Sequence, residues 1–235
     1  MENLAIKLEG NQKELILRTG EAEKITHPKA IIIAGILAAP HQFLTGKEFD
    51  PKQCHIQIKK DIGVISLHIL DTDPHSASTI TGSLKKDSYF ERWGINTEKR
   101  WTVSEFLKFL KMNKSFFVER GECDSMVASL QKWGVNVELV IKQHNDNSGN
   151  SLTMLERKVG EIDLKKKFKL RIPIFQGYSP QEFEVEIGFD PKANAVDLYL
   201  FSEDLYSLEI SHRESLITSE LSKFDDFPCS KVVLS

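Results

Sequence analysis

Cysteine is scarce in this chain: Cys54, Cys123 and Cys229 are the only three among 235 residues. An odd number with no short spacing excludes a disulfide framework and a CxxC metal site, and it points to a reducing compartment. Long apolar runs are absent too. The most apolar stretch, Ala30 to Pro40, is about eleven residues, well short of the ~20 that span a bilayer. The opening MENLAIKLEG has no basic segment followed by an apolar one, so a soluble, unsecreted chain with no membrane partner is expected. Neither sign of charge dominates, with 31 Lys+Arg against 34 Asp+Glu and a net charge of −3. No global basic field therefore draws the molecule to nucleic acid or anionic lipid, and any such binding has to be local.

Catalytic signatures are missing as well. There is no GxSxG elbow, no GxxxxGK[ST] loop and no GxGxxG turn after a strand, so no cofactor is expected and the chain reads as a non-enzyme. Carboxylate pairs assembled only in space stay open, because sequence does not show them.

What is present is enough for a core: 40% of residues are hydrophobic and 9% aromatic. Residues 1–50 read as a helical lead-in, and 51–235 as a single α+β domain. In the lead-in, Glu14 to Arg18 is a short apolar-polar stretch. Thr26 is placed to cap, Pro28 to open and Pro40 to end a helix carrying Ile31, Ile32, Ile33, Ile36 and Leu37. Apolar nearly all round, that helix should be buried in the core or against another subunit.

From Cys54 the period changes to two. His55 to Lys59 and Val64 to Leu70 alternate around the turn Asp61-Ile62-Gly63, a β-hairpin, and Ser78 to Leu84 adds a strand after a turn at Asp71 to Pro74. A helix then follows a capping box at Thr102 and Glu105, and another runs from Cys123 to Trp133 with Gly134 as its stop. Val135, Val137, Leu139 and Ile141 read as a strand, Asn145 to Asn150 as a loop and Ser151 to Val159 as the return. Alternation at Phe168 to Ile172, Phe183 to Phe189 and Val196 to Leu200 gives three further strands, with a turn at Asp190 to Asn194. A final helix, Glu203 to Leu221, is capped by Ser202. Strands in runs imply α+β with largely antiparallel sheet, about eight strands, a buried N-terminal helix, two central helices and a C-terminal helix.

Three constellations carry candidate chemistry. His68, Asp71, Asp73 and His75 offer nitrogen and hard oxygen to a divalent metal, which would suit a metal-dependent hydrolase, although an Asp-x-Asp-Pro turn explains the same residues more simply. Lys165, Lys166, Lys167, Lys169 and Arg171 form a basic stripe on one strand. It is suited to track a phosphate backbone, yet Glu182, Glu184 and Glu186 on the next strand are placed to neutralise it. Tyr89, Phe90, Trp93 and Trp101 stand in or beside an irregular segment and are residue types that anchor interfaces or fill a satellite core beneath a loop.

Several segments together carry a resemblance: Phe90 to Asn96 (FERWGIN), Trp101-Thr102, Phe109 to Asn113 with Phe116-Phe117, Ile172 to Gly177 (IPIFQG) and Phe183 to Glu186. In order and content they resemble the YfdQ-like family of phage and prophage proteins, in versions carried by Bacteroidetes elements, over about residues 54–205. The resemblance implies a mobile-element context in a bacterial cytoplasm and brings no reaction or ligand to any residue. The expectation is a binding protein that self-associates, with Ile32, Ile33, Ile36, Tyr89, Phe90, Trp93 and Trp101 at the interface. A nucleic-acid accessory protein, the hydrolase above and a virion structural component stand as alternatives. Nucleic acid, a small molecule and a host or phage protein stay open as partners.

Overall fold

A computed structural model describes residues 30–70, 76–146, 164–192, 195–227 and 229–234, with side chains left undescribed from 140 to 146. The stretches Glu14 to Arg18, Thr26 to Pro28, Asp71 to Pro74 and Ser151 to Val159 lie outside those residues. So do 147–150 of the expected loop.

Strands β1 (Ile32–Ile36), β2 (Cys54–Lys59), β3 (Val64–Ile69), β4 (Ser78–Ser83) and β8 (Ser230–Leu234) form one sheet in the order β1-β4-β3-β2-β8. The middle three are antiparallel, as alternation with short turns dictates, while the outer two pair parallel to their neighbours, which makes the sheet mixed. Strands β5 (Lys167–Ile172), β6 (Gln181–Lys192) and β7 (Ala195–Phe201) form a second, antiparallel sheet. The helices are α1 (Ala39–Leu44), α2 (Ser88–Trp93), α3 (Val103–Met112), α4 (Arg120–Asp146) and α5 (Leu205–Ser222).

Each sheet buries one face. Helices α2, α3 and α4 cover the three-stranded sheet, enclosing Trp93, Phe106, Leu110, Met126, Leu130 and Trp133 with Phe168, Leu170, Val185 and Leu198. The five-stranded sheet packs Ile56, Ile58, Ile65, Leu67 and Ile80 against Leu37, Leu44 and the α5 side chain Ile217, with Phe224 just beyond that helix. Leu84, Tyr178 and Leu216 touch both clusters, so α5 straddles the join. In the β2–β3 hairpin, Gly63 supplies the left-handed turn residue at φ +67, and pairing His55 with His68 sends every isoleucine of β2 to the core. A slip of one residue would turn them all to the other face. The capping box on α3 is complete: the Glu105 amide donates to Thr102 Oγ1 at 3.2 Å, and the Thr102 amide donates to Glu105 Oε2 at 3.1 Å.

Four expectations are corrected. Residues 32–36 form an edge strand instead of a buried helix, and Pro40 opens α1 instead of closing a helix. Three consecutive isoleucines favour extended backbone, and the Ile31 amide and carbonyl are engaged by Ser78 Oγ and the Thr79 amide. Second, α4 passes straight through Gly134, so Val135 to Ile141 is helix and not strand. Leu130, Trp133 and Val137 are buried while Val135 and Leu139 are exposed, which is helical spacing. Gly134 is needed for close packing, since a Cβ there would sit 2.9 Å from Val103 Cγ1 on α3. Third, the segment from Ser88 to Trp93 is a helix, started by the Asp87 carboxylate accepting from the Tyr89 amide and stopped by left-handed Gly94. Fourth, Ser202 does not cap α5, which begins at Leu205. Instead the Ser202 amide donates to Asn96 Oδ1 at 2.9 Å and its carbonyl accepts from Asn96 Nδ2 at 2.8 Å.

Candidate functional site

The face of the five-stranded sheet turned away from its core is polar in the middle and apolar at the rim. Register places Ile32, Thr79, His68, His55 and Ser230 in one row across it, and Ala34, Thr81, Ser66, Gln57 and Val232 in the next. Neighbours within those rows are already bonded: His68 Nδ1 lies 3.1 Å from Thr79 Oγ1, and Ser66 Oγ 3.2 Å from Thr81 Oγ1. The His55 and His68 rings stack with centroids 4.5 Å apart. At the rim, Ile32 is 83% exposed and Ile36 54%.

The rim strand β1 differs from every other sheet edge in what protects it. The outer edge of β5 is bridged at Leu170 by Phe117, and the Val118 amide donates to the Lys169 carbonyl. The edge of β7 is bridged at Leu198 by Trp101, and the Asn96 amide reaches the Leu200 carbonyl. At the far rim, β8 carries Lys231. Strand β1 has no charged side chain, and its only strand partner among the described residues is β4. Edge strands are ordinarily blunted by lysine, proline or a bulge, and β1 has none of these.

The other candidate residues end up in different places. Phe90, Trp93 and Trp101 are core residues, 7%, 0% and 9% exposed, because α2 and the strand-like contact at Trp101 turn them inward; only Tyr89 faces solvent. Of the basic stripe, Lys167, Lys169 and Arg171 stand along β5 opposite the acids of β6, whereas Lys165 and Lys166 precede the strand. Lys167 Nζ bonds Glu184 at 2.9 Å and approaches Glu186 at 3.7 Å, Arg171 pairs with Glu182 at 3.7 Å, and Lys165 with Glu122 at 3.4 Å. Exposed pairs of this kind add little stability, but they cancel the field a polyanion would feel. A Lys167→Ala/Lys169→Ala variant is accordingly expected to elute from a heparin column within a few tens of millimolar salt of the wild type. A shift of hundreds of millimolar would show the stripe acting as a polyanion site. Of the metal quartet, His68 stands on β3, whereas Asp71, Asp73 and His75 lie outside the described residues. Among the described residues, no group of three or more His, Cys, Asp and Glu is placed to hold a metal ion, and no helix is long and apolar enough to cross a membrane.

Sequence reasoning missed a polar seam where the two cores meet. His212, Leu216 and Glu220 follow one another at four-residue spacing along α5, the one signal available in advance. Glu220 is 6% exposed; its Oε1 accepts from Lys223 Nζ at 2.7 Å, and its Oε2 has no hydrogen-bond partner among the described residues. Burial, then the Glu220 carboxylate, hold the Tyr178 phenol above its ordinary pKa. Burial pulls the His212 imidazole below its usual value of 6.5. Its Nε2 lies 3.5 Å from Gln181 Nε2, and its Nδ1 has no partner among the described residues.

The seam predicts a pH response of definite sign. Because His212 is harder to protonate when folded, the unfolded chain binds more protons near pH 6, so stability is full above pH 6.5 and declines as pH falls through that value. Urea midpoints measured from pH 7.5 to 5.5 should decline less steeply for His212→Phe than for the wild type. Equal slopes would remove His212 from this role.

No family model, no curated protein and no solved structure matches this chain.

Proposed function

We propose that this chain acts by binding and that it self-associates through the β1 rim of its five-stranded sheet. The observation that carries this reading is the outer β1 edge, which has no strand partner among the described residues: an uncharged, isoleucine-rich strand with Ile32 83% exposed. Such an edge exposes apolar surface and unpaired backbone groups together, and a further strand satisfies both. The resemblance to phage and prophage proteins supports a bacterial host as the setting.

Light scattering coupled to size-exclusion chromatography tests the reading. The wild type is expected to exceed the 26.8 kDa of one chain, with the mass rising as concentration is raised. Ile32→Lys/Ile36→Lys is expected to return it to one chain, with a thermal midpoint no lower than that of the wild type diluted to single chains, since both side chains are already exposed. A wild type that stays at 26.8 kDa at tens of micromolar overturns the proposal.

A further inference from the structure

Resting on that self-association, we infer that two copies join through antiparallel pairing of their β1 strands about a two-fold axis at Ala34, producing a continuous ten-stranded sheet. Ile31 directs its carbonyl to the Thr79 amide of β4, and successive residues of a strand direct their amide groups to opposite sides. Ile33 and Gly35 therefore share in the β4 ladder, while Ile32 and Ala34 present N–H and C=O outward and Ile36 presents its N–H, the Ile36 carbonyl oxygen lying instead against Gly82. An antiparallel pair in which facing residues exchange both bonds has to match outward residues with outward residues. Centring on Ala34 does this: Ala34 exchanges both bonds with its own copy, and the partner's Ile36 donates its N–H to the Ile32 carbonyl.

Side chains favour the same arrangement. At a two-fold axis any charged residue meets an equal charge close by, and residues 30–40 contain none. The smallest residues, Ala34 and Gly35, stand at the centre, while Ile32 and the partner's Ile36 lie on one face as a cross-strand apolar pair. Five-residue edges bury less than the roughly 800 Å² per partner of a standard interface, so the dimer is concentration-dependent instead of obligate.

Cysteine cross-linking reads the register directly. In a bonded antiparallel pair facing Cα atoms are about 5.5 Å apart, within reach of a disulfide, whereas Ile32 and its own copy are separated by roughly 13 Å along the strand. With copper phenanthroline as oxidant, Ala34→Cys should form a covalent dimer on a non-reducing gel and Ile32→Cys alone should not. An equimolar mixture of Ile32→Cys and Ile36→Cys should cross-link as Ala34→Cys does. The native thiols Cys54, Cys123 and Cys229 are buried and do not compete. Ala34→Pro supplies the second test: it removes the central outward N–H but no bond to β4, and proline is tolerated on the open side of an edge strand. It should be monomeric, with the thermal midpoint of the wild type diluted to single chains. If the wild type is a dimer but Ala34→Cys links no faster than Ile32→Cys, or the dimer survives Ala34→Pro, the register is overturned while self-association stands. A wild type that is monomeric at tens of micromolar overturns both, and so does a monomer whose Ala34 amide is protected from hydrogen exchange by its own chain.

Discussion

Replacing Trp93 with alanine is expected to destabilise the protein by about 3–5 kcal/mol, as removing a buried aromatic ordinarily does. The indole is 0% exposed and lies among three phenylalanine rings, with centroids at 4.9 Å for Phe109, 6.1 Å for Phe117 and 6.0 Å for Phe168. Those rings come from α3, the bridge residue preceding α4, and β5, so the indole fills the point where helices and sheet meet. A cavity there cannot close without moving elements that are fixed by other contacts. Against a total stability of about 5–15 kcal/mol, this is a large fraction. Trp93→Phe should cost much less, because the indole N–H has no partner among the described residues and removing it also removes a buried unpaired donor. Urea unfolding with both variants checks this. An alanine variant within about 1 kcal/mol of wild type would mean that the indole is not packed as described.

Gly82→Ala should dislodge the β1 and α1 unit and abolish self-association along with it. A Cβ at this position would come within 2.5 Å of the Leu37 carbonyl oxygen, 2.7 Å of Pro40 Cδ and 2.8 Å of the Ile36 carbonyl oxygen. Two of those three atoms are backbone, so the clash is not relieved by a rotamer change; the turn after β1 has to move off β4. Overpacking ordinarily costs about 1–3 kcal/mol, and here the strain falls on the segment that presents the proposed interface. Hydrogen exchange should show the amides of Ile33 and Gly35 losing protection, while the β2–β3 hairpin keeps its own. Gly121→Ala is the control, since a Cβ there meets nothing within 4 Å. If Gly82→Ala retains both wild-type protection in β1 and the wild-type assembly, the close packing of α1 over β4 is refuted.

Local chemistry settled much of this fold in advance. The β2–β3 hairpin, the Thr102 and Glu105 capping box and the alternation of β5, β6 and β7 were legible because each depends on neighbouring residues: a left-handed glycine, a hydroxyl three residues from a carboxylate, apolar side chains at every second position. The facing of Lys167 and Arg171 by the glutamates of β6 was legible for the same reason, since a short connection implied antiparallel neighbours and the period did the rest. Helix α2 was missed because it is six residues long, too short to show a period, and only its Asp87 and Gly94 boundaries betray it.

Tertiary contacts decided what local preference left balanced. A short apolar run such as Ile31 to Leu37 has no period that separates strand from helix, and the choice went to strand because β4 offers a parallel ladder whose Gly82 lets α1 fold back against it. Beyond Trp133, alternation and helical spacing both fit the sequence. The helix won because α3 packs against Gly134 and the cluster needs Val137 on its inner side. The proposed site follows the same division. Composition alone showed that residues 30–40 are uncharged and apolar, but whether that apolar surface is buried or forms an open rim depends on which strand it pairs with, and strand pairing joins residues almost fifty positions apart that no local pattern connects.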